Sequence, residues 1–273
     1  MGKKKYSVIY SLGETCACAN FLKLYKLRTF SGPFDWFGLA DFKTRIDLIM
    51  NGFENFWEFE NIVSIPRQDT SISHLGAYHD KGTDLVSVHD FPSPPLTEAV
   101  HKEVKEKFDR RIKRFYEICA RSKKVLLVLY TIKPLIKDSG FWNALAGNKR
   151  MKSLYLEISD EELKEASEKL NEKFKNNIDL LLIEFDESKK NGELEEIKLS
   201  PSITRYKMRT FIFEERDLPE NQADYANVRK ILSQYKVVNA ATFIRPILKI
   251  LTGLIPVKSV RKNVRKKLLG QDE

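Results

Sequence analysis

The chain has 273 residues, of which 42% are hydrophobic and 31% charged, an ordinary composition for a globular protein. This length fits one large domain or one domain with appendages. Its three cysteines, Cys16, Cys18 and Cys119, cannot form an even disulfide framework, and the first ten residues lack the pattern of a secretory signal. We therefore expect a cytoplasmic protein with reduced thiols.

The net charge of +9 is concentrated at the C-terminus. Residues 243–273 carry eight basic and two acidic residues, a net charge of +6, so residues 1–242 carry only +3. A nearly balanced body argues against nucleic acid as a partner, because a binding face would need clustered basic residues. We predict an α/β domain over 1–242 and a basic amphipathic tail over 243–273.

The tail begins with an apolar stretch, 243–257, that Arg245, Pro246 and Lys249 interrupt. It is too short and too broken to span a bilayer. Basic residues then recur at helical spacing over 258–267, which predicts a basic helix able to lie on an anionic membrane surface, peripherally at the inner face. A solvated helix or disordered tail remains the alternative. Loosely, the tail resembles those of bacterial enzymes of surface-polysaccharide synthesis.

The first part of the chain alternates predicted strands and helices. In chain order these are a strand over 6–11, a helix over 15–26 capped by Thr15, a turn over 31–36, a helix over 41–50, an irregular aromatic stretch over 51–84, and a strand over 85–88. A proline-rich loop follows.

The second part continues the alternation. The clearest helix, 97–122, has apolar residues at steps of three and four. It precedes a strand over 125–130, a helix over 159–175 with a capping box of Ser159 and Glu162, a strand over 178–185, a charged loop over 189–196, a strand over 209–214 and a helix over 224–235. This alternation predicts an α/β fold with a Rossmann-like, mostly parallel sheet flanked by helices.

Two cysteines at the start of the first helix have different predicted environments. At about 100° per residue, Cys18 shares the core face with Phe21, whereas Cys16 shares the open face with Asn20. The helix dipole and unpaired N–H groups at Cys16 favour a thiolate and could hold an oxyanion. Two alternatives remain open: Cys16 is a structural thiol, or the turn before the helix binds an anion without covalent chemistry.

A cysteine nucleophile usually needs a base. The four histidines are His74, His79, His89 and His101. His89 ends a predicted strand and precedes Asp90, so we expect it at the same sheet edge as Cys16. His79 ranks second, His101 adjoins the apolar stripe of its helix, and His74 has no distinguishing context.

Asp35 lies between two aromatic residues, so it is expected to be partly enclosed, with a perturbed pKa or an orienting role. It could equally cap a helix beginning at Trp36. Arg28 and Arg45 are candidates for binding an anionic substrate group. The sequence has no metal-ligand spacing, no P-loop and no G-x-G-x-x-G motif, so we expect neither a metal nor a cofactor.

Four short blocks together resemble a bacterial family of unknown function described as putative papain-like cysteine peptidases. They are Ser11–Cys16, Leu27–Arg28, Ser31–Trp36 and His89–Phe91, and the resemblance covers roughly residues 6–130. It implies Cys16 as nucleophile and His89 as base. The chain departs from papain itself, which has a glutamine six residues before the nucleophile where this chain has Tyr10.

The resulting prediction is a peptidase-like thiol hydrolase or acyltransferase acting on a small-molecule, peptide-like or glycan substrate. The candidate catalytic residues are Cys16, His89, Asp90 and Asp35. The candidate substrate-binding residues are Ser11, Gly13, Glu14, Asn20, Arg28, Ser31 and Trp36. The alternative is a transferase or a sugar- or phosphate-binding accessory protein of bacterial surface-polysaccharide synthesis, in which the turn before Cys16 holds the ligand. A third hypothesis is a peripheral membrane adaptor that acts through its tail.

Overall fold

The computed structural model describes residues 2–65, 76–132, 158–175 and 177–238, together with residue 260. Five α-helices lie in this part of the chain: α1 Cys16–Leu24, α2 Phe42–Met50, α3 Glu98–Arg121, α4 Asp160–Phe174 and α5 Gln222–Leu232. Its strands are β1 Lys4–Tyr6, β2 Val8–Gly13, β3 Phe37–Leu39, β4 Ile62–Ile65, β5 Ala77–Asp80, β6 Leu85–Ser87, β7 Lys124–Tyr130, β8 Asn177–Phe185, β9 Leu194–Ser200, β10 Ile203–Met208 and β11 Tyr235–Val237.

The central sheet has the strand order β2-β7-β8-β10-β9. The first four strands in this order are parallel, and β9 is an antiparallel edge strand. The strand β7 reads as a continuous apolar run because side chains on both of its faces are buried.

Helices cover both faces of this sheet. Val8, Tyr10 and Leu12 of β2 pack in one core with α2, α3, α4 and the aromatic residues of a second sheet. Ile9 packs in the other core with α1 and α5. The α/β prediction is confirmed as a mixed fold with parallel and antiparallel sheets; a Rossmann-like relationship stays a prediction.

A second, antiparallel sheet has the order β3-β6-β5-β4. Its strands β4 and β5 lie within the stretch 51–84 that was predicted to be irregular, whereas β6 lies in the predicted strand over 85–88. All residues of β5 are buried, so the alternation of polar and apolar residues that marks a half-exposed strand is missing there. A bridge between Glu14 and Gly38 connects this sheet to the end of β2.

Two predicted elements near the end of the described chain are wrong. The predicted strand over 209–214 is irregular backbone followed by a 3-10 helix, Phe213–Glu215, because the neighbouring strand β10 ends at Met208. The predicted charged loop over 189–196 is shorter than expected, because β9 begins at Leu194. Apart from residue 260, the predicted tail lies outside the described residues. No helix in the described ranges is long and apolar enough to cross a membrane.

Candidate functional site

The turn between β2 and α1 is held by contacts within the protein. The Gly13 N–H donates to Ser11 Oγ at 2.9 Å, and Ser11 is buried. Gly13 has φ +85°, and a Cβ there would lie 2.9 Å from the Phe34 carbonyl oxygen and 2.7 Å from Arg45 Nη1. Only glycine fits this position without displacing its neighbours. Ser11 and Gly13, both predicted to bind substrate, therefore shape the turn.

Arg45 supports the same turn from α2. It is fully buried, and its Nη1 donates to the Leu12 carbonyl at 2.8 Å while its Nε donates to the Ala40 carbonyl at 3.3 Å. Burial lowers the pKa of Arg45 to about 10. Arg45 is thus a structural cation that links α2 to the end of β2, and it is not accessible to an anionic substrate.

Glu14 joins the ends of two central strands. Its Oε2 accepts a hydrogen bond from the Ile132 N–H, just beyond β7, at 3.0 Å. Its backbone has φ +75°. Burial raises the pKa of Glu14 to about 8, and the positive charge of Arg45 opposes this shift. Between about pH 4.5 and pH 8, where an exposed glutamate is ionised, Glu14 is therefore largely protonated.

Cys16 is the first residue of α1, and Thr15 caps the helix by accepting from the Ala17 N–H at 3.2 Å. Cys16 is partly exposed, whereas Cys18 is buried and its sulfur donates to the Val128 carbonyl at 3.3 Å. The predicted separation of the two cysteines is confirmed. Asn20, one turn further along α1, is partly exposed as well.

The Cys16 thiol differs from the expectation of a thiolate. Burial, and after it the negative charge of Glu214, raise the pKa of Cys16 to about 11. A hydrogen bond from the backbone N–H of Cys16 lowers the pKa by less. The helix N-terminus is therefore outweighed, and the thiol is protonated at neutral pH. We call Thr15, Cys16 and Glu214 the Cys16 corner.

A second cluster, the Arg28 cluster, lies in the segment between α1 and β3. Arg28 donates from Nε to Asp35 Oδ2 at 2.6 Å and from Nη2 to Ser31 Oγ at 2.6 Å. The Gly32 N–H donates to the same Asp35 oxygen at 2.9 Å. Burial raises the pKa of Asp35, and the positive charge of Arg28 opposes this shift. The strand β3 follows, so Asp35 does not cap a helix.

Aromatic contacts extend this cluster to His89. The Arg28 guanidinium lies 5.3 Å from the centroid of the Trp36 ring, and the Trp36 ring is 5.8 Å from the His89 ring in an edge-on arrangement. The neighbouring Asp90 binds helix α3 through Lys107 Nζ, at 2.5 Å. The side chains of His89 and Asp90 are thus engaged by different elements.

The other described histidines are buried. His79 Nε2 lies 3.1 Å from Asp84 Oδ1, and His101 Nε2 lies 2.8 Å from the Trp57 carbonyl oxygen. His74 is outside the described residues. His89 is therefore the partly exposed histidine within the described ranges.

Six of the predicted site residues fall into two separate groups. Arg28, Ser31, Asp35, Trp36 and His89 form one continuous set of contacts. Cys16 belongs to the corner with Glu214, and no hydrogen bond between described residues joins its sulfur to His89.

The sequence did not predict a role for Glu214, or for Lys107 and Arg114. Glu214 lies about two hundred residues from Cys16 in a stretch interpreted as a strand, and no sequence signal connects them. Lys107 and Arg114 recur with Arg111 at steps of four and three on the predicted helix, a pattern that could have been recognised as a cationic face. In the described part of the chain, no three His, Cys, Asp or Glu residues are grouped to hold a metal ion.

Residues 7–135 match the model of a protein family. The family is described as "Putative papain-like cysteine peptidase (DUF1796)". The matched segment runs from the residue before β2 to just beyond β7, so it includes the Cys16 turn, the Arg28 cluster and His89. It covers slightly less than half of the 273 residues. The match supports the family resemblance expected from the sequence blocks.

A similar protein is also found in a virus. An uncharacterized protein of Acanthamoeba polyphaga mimivirus is 30% identical over 146 residues, which are 47% of this chain and 63% of the viral protein. The chain thus spans less than two thirds of that relative. No solved structure matches the chain.

Proposed function

We propose that the chain is a thiol-dependent hydrolase or acyl transferase whose nucleophile is Cys16. One observation carries this proposal: Cys16 is partly exposed at the carboxyl end of β2, whereas Cys18 and Cys119 are buried. Ligands of open α/β sheets bind at this end of the strands. The matched family, described as peptidases, supports the same class of reaction.

In the proposed reaction the Cys16 sulfur attacks an acyl carbon and forms a thioester. The leaving group departs with the proton that the thiol has lost. Water, or another acceptor in a transferase, then breaks the thioester and restores the thiol. Backbone N–H groups in the first turn of α1, including that of Cys16, are suited to stabilise the oxyanion.

A thiol with a pKa of about 11 needs a base to react at neutral pH. We assign this role to His89, because its ring is partly exposed while His79 and His101 are buried. Its ring contacts Trp36 in the structure. The assignment therefore implies that substrate binding brings the imidazole and the thiol together, since catalytic hydrogen bonds often tighten only in the substrate complex.

The test is labelling of the full chain with a fluorescent iodoacetamide, located by peptide mass spectrometry. Cys16→Ala is expected to abolish labelling of the native protein, whereas Cys18→Ala and Cys119→Ala leave it unchanged. Hydrolysis of a panel of acyl-aminocoumarin substrates should be lost in Cys16→Ala and strongly reduced in His89→Ala. Equal labelling of Cys16→Ala and Cys18→Ala would contradict the assignment.

A second candidate function is a transferase or a sugar- or phosphate-binding accessory protein. The position of Arg28 over the Trp36 ring favours it, because a guanidinium matches the geometry of a phosphate or carboxylate group. Stabilisation by nucleotide-sugars in a thermal-shift assay, retained in Cys16→Ala, would favour this function. Membrane association through residues 243–273 is a separate proposal, tested by liposome binding with and without that segment.

A further inference from the structure

The central sheet has an open edge at β9, Leu194–Ser200. On one side β9 pairs with β10, and on its other side no strand of the described ranges pairs with it. The backbone N–H and C=O groups of such an edge are able to pair with a further strand, so proteins commonly cover it or place charges on it. The opposite edge of this sheet is β2, which leads into the Cys16 turn, so β9 is separated from the proposed site by three strands.

Three charged side chains lie along β9: Glu195, Glu196 and Lys198. The Lys189 ammonium lies 2.6 Å from a carboxylate oxygen of Glu195, so this charge is paired within the chain. Glu196 and Lys198 are two residues apart and share one face of the strand, where Lys198 Nζ lies 3.3 Å from Glu196 Oε1. Their side chains are 41% and 69% exposed, so both charges are available to a strand that pairs with this edge.

The order of these charges allows β9 to pair with a second copy of itself. A two-fold axis perpendicular to the sheet makes the two strands antiparallel and sets one residue opposite its own equivalent. Centres at Glu195, Glu196 or Lys198 would set a charge opposite the same charge, which is destabilising. A centre at Ile197 sets Glu196 of each copy opposite the partner's Lys198. Of these four centres, Ile197 is the one that joins opposite charges.

The pairing about Ile197 leaves no charge without a partner. Glu196 and Lys198 exchange a partner in the same strand for one in the opposite strand, whose Cβ atom is about 4.5–5.5 Å away in an antiparallel pair. The register between β9 and β10 is regular from Leu194 to Lys198, and its shift falls after Lys198, toward the turn between the two strands. Ile197 is partly exposed, and contact with its equivalent removes further apolar surface from water.

From this pattern we infer that two copies of the chain associate through β9, with the two strands antiparallel and centred on Ile197. The five-stranded central sheets of the two copies then form one continuous sheet. Backbone hydrogen bonds supply the attraction, and the two pairs of Glu196 with Lys198 fix the register. A single pair of strands is a small interface, so the association is weak and depends on protein concentration. The inference does not use Cys16 and is independent of the proposed chemistry.

The experiment is sedimentation velocity of the full chain at concentrations from the micromolar to the millimolar range. We expect a monomer–dimer equilibrium. Lys198→Glu should raise the dissociation constant of the dimer by roughly tenfold or more, because both attractive pairs become repulsive. Glu196→Lys should weaken the dimer to a similar extent. Lys113→Glu is the matched control: it makes the same change of charge at an exposed position on α3 and should leave the dimer unchanged.

A mixture of the two β9 variants separates strand pairing from damage to the fold. Lys198→Glu and Glu196→Lys each repel a copy of themselves, but in the mixed pair every charge meets an opposite charge. The mixture should therefore form a dimer that neither variant forms alone, which misfolded chains would not do. Amide hydrogen exchange over Leu194–Ser200 of the unmodified chain should also slow as its concentration rises.

Four results would overturn the inference. The first is a chain that stays monomeric at every concentration, whether a strand of another protein or solvent covers the edge. The second is a dimer that Lys198→Glu does not weaken. The third is a mixture of the two β9 variants that does not associate. The fourth is a loss of dimer in Lys113→Glu as large as that in Lys198→Glu.

Discussion

The Cys16 corner and the cluster of Arg28, Ser31 and Asp35 differ in the charge that lies beside their central side chain. In the corner, burial and, after it, the negative charge of Glu214 raise the pKa of the Cys16 thiol. In the Arg28 cluster, the buried carboxylate of Asp35 lies 2.6 Å from the Arg28 guanidinium. The thiol of the corner therefore needs a base before it can react, whereas the carboxylate of the cluster is already paired with a cation.

The largest expected effect tests the buried ion pair of the Arg28 cluster, Arg28 with Asp35. Asp35→Ala removes the acceptor of Arg28 Nε and of the Gly32 N–H, and it leaves a largely buried guanidinium without its counter-charge. Loss of one member of a buried pair costs about 3–5 kcal/mol of unfolding free energy. Urea unfolding followed by circular dichroism measures this loss.

Asp47→Ala is the matched control for Asp35→Ala. Asp47 also binds a cation at 2.6 Å, Lys43, but both side chains are about half exposed or more. Such a pair contributes about 0–1 kcal/mol. If the two variants lose similar stability, burial does not make the Arg28–Asp35 pair more important for folding than an exposed ion pair.

The next effect concerns Glu14, which directly precedes Thr15 and Cys16 in the sequence. Its folded-state pKa of about 8 is above the ordinary value of 4.5, so the folded protein retains a proton that the unfolded chain releases. The associated stability is complete below about pH 4.5 and is lost as pH rises through about 8. Glu14→Gln keeps an acceptor for the Ile132 N–H and removes the titration.

The measurement for Glu14 is unfolding free energy at several pH values from 4.5 to 8.5. The unmodified chain should lose more stability over this range than Glu14→Gln, by a few kcal/mol. Asp35 and Asp224 also have raised pKa values and are present in both proteins, so their effects cancel in the difference. Parallel curves would show that Glu14 titrates normally in the folded state.

The sequence predicted the elements whose signals are local. The apolar stripe of α3, the capping box of Ser159 and Glu162, and the rotation that separates Cys16 from Cys18 are all present in the structure. The strand β10 was missed because its Arg205 reads as a surface residue. Arg205 is buried through ion pairs with Glu184 and Asp160, which are distant in sequence.

The candidate site was predictable only in part, because some of its contacts are local and others join residues that are distant in sequence. Arg28, Ser31 and Asp35 contact one another within a short segment of the chain, so their joint role can be recognised from the sequence. The pKa of Cys16 depends on Glu214, which only the tertiary fold brings near. A helix N-terminus can be recognised in a sequence, but the burial and the distant charge that outweigh it cannot.

The smallest expected effect tests that distant charge. Glu214→Gln removes the second cause of the raised Cys16 pKa and leaves burial, the larger cause, in place. The thiolate fraction at pH 8 should rise, so the rate of iodoacetamide labelling at Cys16 should increase several-fold. At a pH high enough to ionise the thiol fully, the two rates should be the same. Glu215→Gln, a change of the same charge at the next residue of the 3-10 helix, is the control. An equal acceleration in both variants would mean that general surface charge controls the pKa of the thiol. An acceleration confined to Glu214→Gln would establish that Glu214 itself lowers the reactivity of Cys16. A base or a cationic substrate group must then offset the charge of Glu214 during the reaction.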